Sequence, residues 1–116
     1  MSRRNRRKSS KRYISQYTLR LYWSTEKLHC RQCTKRMWFA GFESASDFLE
    51  TIEPSDRGYL SEKIFLTLRQ ATIEHIVPLK AGGGYEGCNL EVLCALCNSR
   101  NDGTAPFGVT TWQAHE

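Results

Sequence analysis

The sequence predicts a small α+β domain, pinned by a four-cysteine metal site and carrying additional helices. Three observations lead there. The chain has 116 residues, enough for one domain with a single small core. It holds two Cys-x-x-Cys pairs, Cys30–Cys33 and Cys94–Cys97, far apart in sequence. Between residues 72 and 101 the pattern runs strand, glycine loop, strand, helix.

Residues 1–12 form a basic arm without apolar periodicity. Over residues 13–28, Ile14, Tyr17, Leu21 and Leu28 recur at helical spacing, which predicts an amphipathic helix leading into Cys30. Tyr13, Tyr17, Tyr22 and Trp23 lie on that helix. An aromatic stripe at this spacing packs inward more often than it stacks on bases. Residues 34–70 read as a helical insertion. Ser44-Ala45-Ser46-Asp47 has the form of a capping box ahead of Phe48, Leu49 and Ile52, and Pro54 closes that segment. Ile64, Phe65, Leu66 and Leu68 read as a short buried helix, and so brief an apolar run also suits a strand.

Residues 72–79 are rich in β-branched types and stop at Pro78, as a strand does. Gly82-Gly83-Gly84 permits a tight reversal that side chains would obstruct. A second strand is expected near Asn89 to Leu93. A helix then starts around Cys94–Ala95, bounded by Gly103 and Pro106. Residues 13–116 are thus expected to be one domain.

The five cysteines favour metal over disulfides. The basic N-terminus is not followed by the apolar stretch of a secretory signal, and two paired Cys-x-x-Cys motifs then read as a zinc site. Cys30, Cys33, Cys94 and Cys97 are the four thiolate ligands. Cys88 is left unpaired by pattern, His29 reads as a polar neighbour, and His115 sits in a frayed tail. Four buried apolar cysteines would be the bland alternative, but the repeated spacing argues against it.

Net charge is +5, and it is unevenly placed. Arg3, Arg4, Arg6, Arg7, Lys8, Lys11 and Arg12 account for seven of the seventeen Lys and Arg, with no acidic residue among them. The remainder is therefore mildly acidic. A cationic block of this kind binds polyanions, although a solubilising tail or an import signal has the same composition. No apolar run reaches the length of a bilayer span, so an intracellular, cytoplasmic protein without a membrane partner is expected.

Glu74-His75-Ile76-Val77-Pro78, the glycines, Asn89-Leu90, and Leu93-Cys94-Ala95-Leu96-Cys97-Asn98 arrive in an order that resembles the HNH endonucleases. This family is also called His-Me finger or ββα-metal nucleases. The chain has His75, Asn89 and Asn98 at the three motif positions, an H-N-N variant. The resemblance covers residues 30–33 and 72–101. It implies a metal-dependent endonuclease acting on DNA, with His75 as general base and Asn89 bracing the loop and orienting the His75 ring. Glu74 and Asn98 would hold one catalytic divalent cation, Mg or Mn. Hard cations accept such oxygen donors, and imidazole titrates near neutrality.

Neighbours on a regular strand point to opposite faces, so Glu74 and His75 share one phosphate only where the ribbon twists or bulges, or where the cation sits at its edge. Many relatives carry Lys three positions after the last motif residue, where this chain has Asn101, with Arg100 one position early. The small size and Cys-x-x-Cys-Asn ending are also similar to phage-type junction-resolving or nicking endonucleases. Two rivals stay open at this point: a catalytically silent zinc-stabilised nucleic-acid-binding module, and an RNA-directed or nonspecific nuclease. Either a monomer or a homodimer is compatible with the sequence.

Overall fold

Two short antiparallel strands carry the centre of the molecule, and almost everything else exists to support them. The computed structural model describes residues 15–76, 81–83 and 89–103. The arm cations, Tyr13, Ile14, Pro78, Gly84, Cys88, Pro106 and His115 lie outside the described residues. Among those described, the order is α1 (residues 15–24), α2 (Ala45–Glu50), α3 (Pro54–Arg57), α4 (Glu62–Arg69), β1 (Ala71–His75), β2 (Leu90–Cys94) and α5 (Ala95–Asp102). Helices plus a two-stranded antiparallel sheet make this an α+β fold, as expected.

The strands pair in unbroken register, from Ala71↔Cys94 to His75↔Leu90. An isolated two-stranded ribbon is marginal in water, so it needs a packed face. Ala71, Val92 and Cys94 supply that face, joined by Cys30, Met37 and Phe39 in one buried cluster, and Leu93 is buried on the opposite face. The segment after the first cysteine pair extends the ribbon at its start. Trp38 N–H donates to Arg69 O, and Ala71 N–H donates to Trp38 O, both at 2.8 Å.

Helix boundaries follow local chemistry. Ser44 accepts from Asp47 N–H at 3.0 Å and Ser61 from Ile64 N–H at 3.3 Å, two side-chain caps each worth about 1 kcal/mol. The apolar run at 62–69 is thereby settled as a helix. Pro54 ends one helical segment and occupies the first turn of the next, where its missing N–H costs nothing. At the far end Gly103 takes a left-handed φ of 74° and stops α5.

Two expectations for α1 are corrected. Its helical residues end at 24, not 28. Glu26 adopts φ 59°, Glu26 N–H donates to Trp23 O, and Lys27 N–H donates to Tyr22 O, a Schellman stop built without glycine. The buried stripe is also rotated by one residue. Thr18, Leu19, Tyr22 and Trp23 face inward, while Tyr17 and Leu21 are 57% and 47% exposed.

Four ion pairs among the described residues lie within 34–70, and the two least exposed organise the segment. Arg36 forks onto both oxygens of Glu43 at 2.7 and 2.9 Å, and Glu43 also accepts from Phe39 N–H at 3.0 Å. The Arg36 guanidinium lies over the Trp23 and Phe48 rings, at 5.9 and 5.3 Å, tying α1 to α2. Arg69, buried at the end of α4, pairs with Asp56 and stands 4.7 Å above Phe65. The hydrogen bond from Arg69 holds the Asp56 carboxyl below its ordinary range, against a smaller opposing effect of burial. A carboxyl lowered on folding stabilises fully above its unfolded value, about 3.9, and the contribution drains away as pH falls through the folded value below it. Urea unfolding between pH 7 and pH 2.5 is expected to show this acid loss in the wild type. Asp56→Asn should be less stable at pH 7 and show a visibly smaller loss on acidification.

Candidate metal and catalytic site

The first cysteine pair sits on a tight clip. Cys30 N–H donates to Lys35 O at 2.8 Å and Thr34 N–H to Cys30 O at 2.7 Å, while His29 bridges Arg36. Thr34 takes a left-handed φ of 67° to close the turn. The second pair straddles the start of α5. Cys94 is the N-cap, its sulfur accepting from Cys97 N–H at 3.5 Å, and Cys30 Sγ accepts from Cys94 N–H at the same distance. The four sulfurs lie within 4.8 Å of one another, and Cys33 Sγ is 3.7 Å from Cys94 Sγ.

This spacing is too long for a disulfide and suits a metal. Sulfurs about 2.3 Å from a tetrahedral zinc stand about 3.8 Å apart. Electrostatics agree. Burial opposes charge at Cys30, yet the N–H groups of Cys33, Cys94 and Gln32 outweigh it and hold that thiol below its ordinary value. Burial pushes Cys94 up to about 12, with Cys30 and Cys33 adding to the rise, and burial and Cys94 push Cys97 up as well. Four thiolates at this spacing repel one another unless a cation sits among them. The cluster could therefore hold a structural metal such as zinc, and the exposed His29 is not part of it.

The clamp delivers α5 to β1. Asn98, next to Cys97, donates through Nδ2 to Thr72 Oγ1 at 2.9 Å and to Ile73 O at 3.1 Å. Thr72 Oγ1 in turn donates to Leu93 O across the ribbon. One helical turn on, Asn101 Nδ2 donates to Glu74 Oε1 at 2.8 Å. Asn98 and Asn101 thus reach neighbouring residues of one strand from one face of α5. Glu74 lies opposite Glu91, a like-charge pair relieved on the Glu91 side by Arg31 at 3.3 Å.

His75 is the last residue of β1, partly buried, with its Nε2 atom inaccessible to solvent. Asn89 is buried beside it, and its carbonyl accepts from Ile76 N–H at 2.9 Å. The register shows no bulge between Glu74 and His75, so they follow the alternation of a regular strand. The strand ends immediately after them, at a bend at Ile76. Arg100 is exposed on α5, and Gly82 turns with φ 94° in open space. Sequence reasoning missed Thr72 and Gln32 and gave Asn101 only as a departure. The three-residue spacing of Asn98 and Asn101 was the signal available for the last. Nothing in the sequence marked Gln32.

An antiparallel ribbon capped by a helix, with a cysteine cluster at the junction that could hold a metal, defines a small ββα unit. Residues 61–103 match the HNH endonuclease family, so the resemblance seen in the motifs is borne out over that segment. No curated protein and no solved structure matches the chain. No helix among the described residues is long and apolar enough to cross a membrane.

The clamp has a direct test. Structural zinc binding is largely folding free energy, so Cys97→Ser should weaken the metal and destabilise the whole domain. Elemental analysis is expected to give one zinc per folded chain. Folded, zinc-free protein with an unaltered thermal midpoint would contradict this.

Proposed function

We propose that this chain is a metal-dependent endonuclease hydrolysing DNA phosphodiester bonds. The observation that carries the reading is the seating of Asn98 on β1 between Thr72 and Ile73, one residue from Glu74 and two from His75. Both Nδ2 hydrogens of Asn98 are spent there, leaving Oδ1 as the donor atom for a cation. Glu74 adds a carboxylate oxygen. An anionic and a neutral oxygen fit Mg²⁺ or Mn²⁺, which retain waters for a phosphate to displace. When bound, the cation supplies Lewis-acid stabilisation of the phosphate and the leaving 3′ oxygen.

His75 takes the proton from the attacking water. Its Nε2 is buried, so Nδ1 is the nitrogen assigned to the water. Asn89, anchored through its carbonyl to the end of β1, braces the loop and orients the ring. Because Glu74 and His75 alternate along a regular strand, the proposed cation is assigned to the end of the ribbon, where the two side chains would approach one phosphate from either side. Arg3, Arg4, Arg6, Arg7, Lys8, Lys11 and Arg12 supply phosphate affinity, which positions the substrate without reading its bases.

Cleavage of supercoiled, linear, branched and single-stranded DNA, with RNA in parallel, tests the reading. His75→Ala should lose roughly 10²–10⁴ in rate, the scale of general-base catalysis, while folding and DNA binding persist. Glu74→Ala and Asn98→Ala should instead need more Mg²⁺, which partly rescues them. Wild-type binding of DNA with no cleavage in Mg²⁺ or Mn²⁺ would leave the silent binding module. Faster cleavage of RNA would move the substrate.

A further inference from the structure

Glu74 is held by groups that the motif does not include. We propose that Asn101 and Gln32 are positioning residues for the cation-binding carboxylate, forming a relay from the cysteine clip through Asn101 to Glu74. This rests on the reading of Glu74 as a cation ligand. Gln32 lies between Cys30 and Cys33, so its backbone is fixed by the clamp. Its Oε1 accepts from Asn101 Nδ2 at 3.1 Å, and its Nε2 donates to Asn101 Oδ1 at 3.4 Å. This reciprocal amide pair fixes which way the Asn101 side chain faces. Nδ2 is thereby aimed at Glu74 Oε1, 2.8 Å away.

The chemistry fits the position. Glu74 faces Glu91 across the ribbon, and Glu91 is drawn toward Arg31, the other residue inside the same clip. The clip therefore handles both carboxylates, one with a cation and one through a neutral amide. A neutral donor orients Glu74 without neutralising it, so its charge stays available to the divalent ion. A lysine at position 101 would instead bring a competing cation to the carboxylate. Groups that hold a ligating carboxylate from behind typically contribute 10–100-fold in metal affinity.

The test uses the full zinc-loaded chain, with Mn²⁺ as probe. Mn²⁺ affinity is read without DNA by electron paramagnetic resonance, and Mg²⁺ dependence is read in DNA cleavage. Asn101→Leu should weaken Mn²⁺ about tenfold and raise the Mg²⁺ for half-maximal cleavage by a similar factor. Zinc content and the rate at saturating Mg²⁺ should stay within about twofold. Asn101→Gln, which keeps a donor, should recover part of the loss. Gln32→Leu should shift both readouts in the same direction by a smaller factor. Because Gln32 acts through Asn101, the double variant should be no worse than Asn101→Leu alone. Glu74→Ala separates the two levels of the argument. If it weakens Mn²⁺ while Asn101→Leu matches wild type, or if the Gln32 and Asn101 effects simply add, the relay is wrong and the reading of Glu74 stands. If Glu74→Ala changes neither readout, the reading of Glu74 fails and the relay falls with it.

Discussion

The fold depends on four sulfurs meeting across about sixty residues of chain. Without that meeting, the Cys30–Cys33 clip, the two-stranded ribbon and α5 are fragments each too small to hold a core. Closing so long a loop is entropically costly, although the cost grows only slowly with length. A bound structural zinc commonly contributes about 10–16 kcal/mol of apparent free energy, enough to dominate a domain this small. The apolar cluster then forms around the clamp rather than apart from it: Met37, Phe39, Val92 and Leu93 pack on the buried cysteines.

The same clamp explains the economy of the candidate site. Cys94 caps α5, Cys97 closes its first turn, and Asn98 follows at once. A side chain so close to a fixed point needs little further support, and Thr72 and Ile73 provide it. Asn101, one turn later, is reached from the other half of the clamp through Gln32. The ribbon contributes Glu74 and His75 where β1 ends and the chain turns toward Asn89 and Leu90. The 34–70 segment stands apart from this chemistry. Its ion pairs, Arg36 with Glu43 and Arg69 with Asp56, hold that segment together, and α4 packs against α5.

Much of this was legible in the sequence because it depended on short-range chemistry. The paired cysteine spacing, the serine cap at 44, the first part of the β-branched run at 72–79 and the glycine after α5 each carry a local physical reason, and each is seen. What was not legible came from tertiary contacts or from unusual local solutions. The end of α1 uses a glutamate at a left-handed position, so no glycine announced it. The inward face of α1 was set by Phe39 and Phe42 meeting Trp23, which overrode the apolar spacing of Tyr17 and Leu21. Pro54 signalled a stop and also served as a start. Gln32 resembles any polar residue of a cysteine clip until α5 is placed beside it. The family match over residues 61–103 covers the motif-bearing segment but not the first cysteine pair, which sequence spacing alone had supplied.

The central claim is that the cysteine clamp places an oxygen-donor cation site on the neighbouring face of α5 and β1. Anomalous diffraction from crystals of the zinc-loaded chain soaked in Mn²⁺ tests it most directly. The account predicts a zinc peak among Cys30, Cys33, Cys94 and Cys97, and a separate manganese peak within bonding distance of a Glu74 carboxylate oxygen and Asn98 Oδ1. Manganese bound only elsewhere, or a cysteine cluster holding no metal in the folded protein, would contradict it.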